Sequence, residues 1–105
     1  MVQFTYTPQA WAALAKNPED RADAFRALAE QMGAKLLSLH YCFGEYDGVT
    51  MMEAPDEATV MAILLAANSP GHVKTTRTTV LITLREAMVA MRRAHDAQYR
   101  GPHGD

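Results

Sequence analysis

The sequence is short of the features that mark several large classes of protein. It has one cysteine, so an internal disulfide is excluded and nothing favours an oxidising compartment. Its formal net charge is only −2, which does not favour binding to nucleic acid or to an anionic membrane surface. Its longest apolar run, residues 60–67, is far shorter than a membrane span. We therefore expect a cytoplasmic protein that binds neither nucleic acid nor membrane.

Known catalytic and targeting motifs are also missing. Residues 1–6 have no basic start and no long apolar segment, so we expect no signal peptide. There is no glycine-rich dinucleotide motif, no Walker loop and no nucleophile elbow, which argues against nucleotide binding and serine hydrolysis. No cofactor can be named from the sequence.

The chain is rich enough in apolar residues to form a core. It has 105 residues, of which 49% are hydrophobic, and this size suits one domain. We predict a single domain over residues 1–100 and a flexible polar tail over residues 101–105.

Hydrophobic periodicity predicts strands alternating with helices. Asn17 is expected to cap the first long helix and Gly33 to end it, while Thr83 and Glu86 fit a capping box. The predicted strands are residues 1–6, 35–43, 49–54 and 72–83, and the predicted helices are residues 9–15, 18–32, 57–67 and 84 onward. This order predicts an α+β fold of the ferredoxin-like βαββαβ type, an antiparallel sheet with helices on one face and an added C-terminal helix.

One face of the predicted sheet is of mixed character. Strict alternation places His40, Cys42, Thr50 and Met52 on it, away from the helices. A small domain gains stability by covering such a face, so we predict a homo-oligomer that associates through the open face of the sheet.

The segment between the two central strands resembles a known family. Gly44, Tyr46 and Asp47 match the Gly-x-Tyr-Asp pattern of the GYD-domain family, which consists of small, mostly bacterial proteins. Further family-like segments are residues 17–21, 53–56, 70–74, 77–81 and 86–88. The resemblance spans roughly residues 4–99 and implies a ferredoxin-like fold and self-association. It implies no reaction, because the family is largely uncharacterised.

Tyr46 and Asp47 admit two interpretations. A phenol beside a carboxylate could orient a polar ligand or move a proton. Alternatively, Gly44 and Gly48 supply unusual backbone angles to a structural turn, and Asp47 binds nearby amides.

The histidines are the other candidates for a site. His72 stands at the entry to the predicted last strand, where it could act as a general base or a ligand, or simply bind a loop carbonyl. His40 and Cys42 lie two residues apart on one strand face, but two ligands are too few for a metal site and no third is apparent, so we predict no metal.

Three functions remain open at this point. The first is a small-molecule binding or accessory protein whose ligand-binding candidates are Tyr46, Asp47, His72 and His40. The second is a cofactor-independent enzyme of the dimeric α+β barrel type that uses His72 or Asp47 for proton transfer. The third is a purely structural assembly unit. The sequence does not decide whether the protein is an enzyme.

Overall fold

A computed structural model describes residues 1–102 as a four-stranded antiparallel sheet with four helices. The strands are β1 (Val2–Tyr6), β2 (Lys35–Tyr41), β3 (Gly48–Glu53) and β4 (Val73–Thr78), and the helices are α1 (Pro8–Lys16), α2 (Arg21–Gln31), α3 (Glu57–Asn68) and α4 (Leu84–Asp96). The spatial order of the strands is β2-β3-β1-β4. The predicted α+β class and the predicted pairing of β2 with β3 are confirmed. Residues 103–105 of the predicted tail lie outside the described residues.

The start of α2 differs from the prediction. Asp20, not Asn17, caps the helix, and its side chain accepts a hydrogen bond from the backbone N–H of Ala22 at 2.9 Å. The reason is that α1 continues to Lys16, so Asn17 closes that helix instead. Gly33 follows the end of α2 with a φ of +80°, a left-handed conformation that glycine adopts without strain. That helix end is as predicted.

The core lies between the sheet and the pair of helices α2 and α3. Ile63 of α3 and Ala29 of α2 are completely buried. The buried apolar residues are Val2, Phe4, Ala10, Ala29, Ala34, Leu36 and Ile63. Val2 and Phe4 place one face of β1 under the helices, and that face determines which side of each neighbouring strand is covered.

A β-bulge in β2 breaks the alternation that the sequence predicted for this strand. Leu36 pairs with Met52 and Ser38 pairs with Met51, so Leu37 is an extra residue without a partner. Leu36 is therefore buried although Leu37 is exposed. Beyond the bulge, the alternation of side chains between the two faces is shifted by one residue. Leu36 and Leu39 therefore both face the helices.

The predicted composition of the open face is wrong for two residues. Thr50 is only 3% exposed and lies opposite Val2 on the covered face. Its hydroxyl donates a hydrogen bond to the carbonyl oxygen of Val2 at 3.4 Å. Met52 packs against the core cluster that contains Ile63. The sequence pattern failed here because both faces of β3 carry apolar side chains.

The open face has a different set of residues from the one expected. Val49 and Met51 occupy it on β3, and Val49 pairs with His40 of β2. His40 is exposed there, as predicted. Cys42 lies beyond the end of β2 and is an exposed free thiol, so it belongs to the loop and not to the sheet face.

β4 is shorter than predicted, because it loses its neighbouring strand. Met1 and Thr79 still exchange backbone hydrogen bonds, at 2.8 Å and 2.9 Å, but residues 80–82 pair with no strand among residues 1–102. Thr83 then caps α4, its hydroxyl accepting from the N–H of Glu86 at 3.1 Å, as the capping box predicted. Within the described residues, α4 has no substantial packing contact with another helix or strand.

Candidate functional site

The loop that connects β2 and β3 is tied to the end of β1 by Asp47. The carboxylate oxygen Oδ2 of Asp47 accepts hydrogen bonds from the backbone N–H of Tyr6 at 2.9 Å and from the indole Nε1 of Trp11 at 3.2 Å. Its backbone N–H donates to the carbonyl of Phe4 at 2.9 Å, and its carbonyl accepts from the N–H of Cys42 at 2.8 Å. Asp47 therefore joins the loop, β1 and α1 at one point.

Three aromatic side chains meet at this point, and we call them the aromatic cluster: Tyr6, Trp11 and Tyr41. The ring centroids of Tyr6 and Trp11 are 5.1 Å apart in an edge-on arrangement. The rings of Trp11 and Tyr41 are 5.5 Å apart, and those of Tyr6 and Tyr41 are 6.0 Å apart. These distances are typical of favourable aromatic pairs. The cluster closes the end of the sheet where β1 and β2 finish.

Tyr6 is the most buried phenol of the cluster and has a perturbed acidity. Burial is the main cause that raises the pKa of Tyr6 well above its ordinary value, and the hydrogen bond between its hydroxyl and that of Tyr41 at 3.3 Å adds to the effect. Both effects favour the neutral phenol. Tyr6 is consequently a hydrogen-bonding group and not a base under ordinary conditions.

A groove opens beside the aromatic cluster on the helix-covered face of the sheet. Its volume is about 290 Å³. Its lining is mainly apolar and includes Phe4, Thr50, Phe25, Leu28, Leu39 and Leu64. Besides Tyr6, the lining contains two ionisable side chains, those of Arg21 and His72. The Arg21 guanidinium forms an ion pair with the carboxylate of Glu19 at 2.8 Å. The groove can hold an apolar group with a polar end near Arg21 and His72.

The structure brings two of the four predicted site residues to the same strand end. His72 and Asp47 flank the end of β1. The backbone N–H of Thr7 donates a hydrogen bond to the carbonyl of His72 at 2.9 Å, and the backbone N–H of Tyr6 donates one to the carboxylate of Asp47. His72 lines the groove. Asp47 is half-buried, and its side-chain oxygen already has two donors.

The other two predicted residues lie elsewhere. Tyr46 is half-buried in the loop and does not line the groove, and its carbonyl accepts a hydrogen bond from the thiol of Cys42 at 3.2 Å. His40 is on the open face of the sheet, opposite to the groove. The four candidates therefore do not form one site.

The glycines of the loop have a different role from the one expected. Positive φ angles occur at Gly33 and Gly71, whereas neither Gly44 nor Gly48 has one. A Cβ atom at Gly48 would overlap the ring of Phe4, so Gly48 is required by close approach and not by backbone conformation. A Cβ at Gly44 would meet nothing within 4 Å. The expectation of unusual angles at these two positions was wrong.

The sequence interpretation missed the residues that surround Asp47. Trp11 was not among the candidate residues, whereas it donates a hydrogen bond to Asp47. Tyr6 and Tyr41 were treated as strand residues only. The available signal was that Tyr6 ends one predicted strand and Tyr41 lies two residues before the end of another, where side chains from neighbouring strands gather.

Residues 1–102 offer neither a cluster of metal ligands nor a membrane-spanning helix. No group of three or more His, Cys, Asp and Glu side chains in that range is placed to hold a metal ion. None of the helices in this same range is long and apolar enough to cross a bilayer.

The fold and the loop place the chain in a class and then in a family. It is a small α+β protein with a four-stranded antiparallel sheet whose central loop presents Gly44, Tyr46 and Asp47 beside β1. The model of the GYD domain matches residues 1–91, and the chain belongs to this family. The resemblance of the Gly-x-Tyr-Asp segment to the family is thereby confirmed.

A curated relative is known by a function in its name. The chain is 35% identical over 75 residues to the glutamine synthetase and cystathionine beta-lyase binding protein of Thermus thermophilus. The match covers 71% of this chain and 79% of the relative. No solved structure matches the chain at a significant level.

Proposed function

We propose that this protein is a binding or accessory protein that attaches to a partner enzyme. The relative from Thermus thermophilus is named for binding two enzymes, and it shares 35% identity with this chain. The observation that carries the proposal is the exposure of aromatic side chains at the end of β2. Trp11 is 38% exposed, Tyr41 is 47% exposed, and Phe43 is fully exposed.

Aromatic residues in that position suit a protein interface. Aromatic side chains are enriched at the centres of interfaces, because each one covers a large apolar area with few rotatable bonds. The exposed ring of Phe43 contributes no burial to the stability of the isolated chain. Phe43 follows Tyr41 by two residues, so the two aromatic side chains are close in sequence. The Asp47 hydrogen bonds hold the base of the loop that begins there, so Phe43 is presented on a fixed support.

The proposal is tested by direct binding to purified enzymes. Glutamine synthetase and cystathionine β-lyase from the organism that encodes this chain are immobilised, and binding is followed by surface plasmon resonance. Phe43→Ser is expected to weaken binding by about tenfold or more, as for an interface hot spot. Met61→Ser, at an exposed apolar position on α3, serves as the matched control and is expected to bind normally. Absence of binding to both enzymes would contradict this proposal.

A small molecule in the groove is a second candidate function. The groove favours it because its apolar lining ends at Arg21 and His72, which suits a ligand with an apolar body and a polar end. Native mass spectrometry of freshly purified protein would detect a retained ligand. His72→Ala is expected to reduce its occupancy, whereas His40→Ala, on the opposite face of the sheet, is expected to leave it unchanged.

An enzymatic role would depend on the same residue. A cofactor-independent enzyme of the dimeric α+β barrel type would use His72 for proton transfer more readily than Asp47, whose carboxylate already accepts two hydrogen bonds. In that case His72→Ala abolishes turnover and leaves folding intact. If the protein is only an assembly unit, neither His72→Ala nor Tyr46→Phe changes any activity.

The proposed architecture is ferredoxin-like, with association through the open face of the sheet. The chain order β1-α1-α2-β2-β3-α3-β4 follows the βαββαβ pattern with two helices between the first two strands, and it supports the ferredoxin-like architecture. For the second part, Met51→Glu is the informative change, because Met51 and not Thr50 lies on the open face. An unchanged oligomer size for Met51→Glu would rule out that interface. A bacterial origin fits the source of the relative, and a cytoplasmic location fits the free thiol of Cys42.

A further inference from the structure

We propose that residues 80–96, which we call the C-terminal arm, pack against a second copy of this chain. The arm consists of the extended segment 80–83 and helix α4. The inference goes beyond the binding of a partner enzyme, since it assigns the arm to self-association.

The arm carries a continuous apolar surface that no other part of residues 1–102 covers. Leu84, Met88 and Met91 share one face of α4, because they are three or four residues apart. Leu84 is 85% exposed and Met91 is 66% exposed. The preceding residues Val80, Leu81 and Ile82 are also exposed. An amphipathic helix gains little stability from propensity alone and normally packs its apolar face on another surface.

The size of the molecule indicates how much surface remains to be buried. The accessible surface is 8162 Å², whereas a compact monomer of this mass exposes about 5,800 Å². The radius of gyration is 18.6 Å, against about 13 Å for a compact chain of this length. Even half of the excess surface exceeds the ~800 Å² that each partner buries in a standard interface. The area is therefore sufficient for a stable dimer.

The connection to the arm directs it away from its own sheet. Residues 79–83 contain no glycine, proline, asparagine or aspartate, and four of the five are β-branched. β-branched residues favour extended backbone, and Thr83 itself has an extended backbone, with φ −66° and ψ 156°. A reversal onto the same chain would need turn residues that this segment lacks. A second copy is the occupant that such a connection can reach.

The charges of the arm and of the rest of the chain are complementary. Residues 1–79 have six Lys and Arg against nine Asp and Glu, whereas the arm, residues 80–96, has three against two. The arm of one copy, with its small excess of positive charge, is thus attracted to the acidic body of another, and the exchange is reciprocal in a two-fold dimer.

The test compares two substitutions on opposite sides of α4. Met88→Glu places a charge on the apolar face, and Val89→Glu places the same charge on the side that bears Arg93 and Glu86. In light scattering coupled to size exclusion, we expect a wild-type dimer, at least a tenfold rise in its dissociation constant for Met88→Glu, and no change for Val89→Glu. Equal effects of the two changes, or a monomeric wild type, would overturn the proposal.

A crosslinking measurement covers the case in which Met88→Glu fails to fold. A photoreactive amino acid replaces Met88 in the full chain, and unlabelled protein is mixed with ¹⁵N-labelled protein before irradiation. Crosslinked peptides that combine the two isotopes are the expected result. Crosslinks confined to single chains would mean that the arm folds back on its own domain, and that outcome, like the absence of any crosslink, refutes self-association through the arm.

Discussion

The carboxylate of Asp47 accepts a hydrogen bond from the indole Nε1 of Trp11, at 3.2 Å, and this bond joins the family's characteristic loop to α1. The same oxygen accepts from the backbone of Tyr6, so one side chain holds together three segments that are distant in sequence. The Asp of the Gly-x-Tyr-Asp pattern therefore has a structural role in this protein.

Removal of the Asp47 carboxylate is expected to destabilise the fold. Asp47→Ala leaves the N–H of Tyr6 and the indole of Trp11 without their acceptor, which typically costs about 1–3 kcal/mol for a partly buried group. Glu45→Ala, in the same loop, removes a carboxylate whose loss is expected to cost little. Urea unfolding at neutral pH would measure both. Equal midpoints for the two variants would show that the Asp47 hydrogen bonds do not stabilise the protein.

Substitution of Gly48 tests the close approach of the loop to β1. Gly48→Ala brings a methyl group into the ring of Phe4, and such overpacking usually costs about 1–3 kcal/mol of folding stability. Gly44→Ala is the matched control, because a Cβ there meets open space. Thermal unfolding of both variants checks this. If Gly44→Ala proves the more damaging change, the steric explanation is wrong.

The raised pKa of Tyr6 predicts a loss of stability at alkaline pH. Above about pH 10 the unfolded chain releases the phenolic proton while the folded chain retains it, so unfolding becomes more favourable as the pH rises. Tyr6→Phe removes this dependence, and its stability is expected to fall less between pH 9 and pH 11 than that of wild type. Tyr99→Phe is the control at an exposed phenol and should behave as wild type in urea unfolding.

Charges on β3 are expected to have opposite consequences on its two faces. Thr50→Glu buries a carboxylate beside Val2 and is expected to prevent stable folding. Met51→Glu, the adjacent residue on the open face, is expected to leave the circular dichroism spectrum unchanged. A folded Thr50→Glu protein would contradict the burial of Thr50 on the covered face of the sheet.

Local sequence signals predicted most elements but not their edges. Gly33 ends α2 and Thr83 caps α4 as expected, since glycine and threonine act on the backbone within a few residues. The cap of α2 was misplaced to Asn17, because Asn17 and Asp20 are both good capping residues and only the length of α1 chooses between them. The end of β4 was placed too late for a similar reason: residues 80–82 favour a strand, but no neighbouring strand pairs with them.

The candidate site was predicted only in part. Asp47 and His72 were selected from the sequence, and the pairing of β1 with β3 and β4 brings them to one strand end. Tyr46 and His40 were selected on the same grounds but lie apart from the groove. Trp11 was missed because its bond to Asp47 joins residues 36 positions apart, a distance at which periodicity holds no information.

The sequence by itself determined the α+β class, the family and the positions of the helices, because these depend on local backbone preference and on periodic burial. Tertiary structure decided which face of β3 is covered, since the bulge at Leu37 and the contact of Gly48 with Phe4 arise only when strands pair. It also decided that Asp47 accepts a hydrogen bond from Trp11 and that α4 is left uncovered by the rest of residues 1–102. Those features depend on the distance between segments in space, which no local pattern encodes.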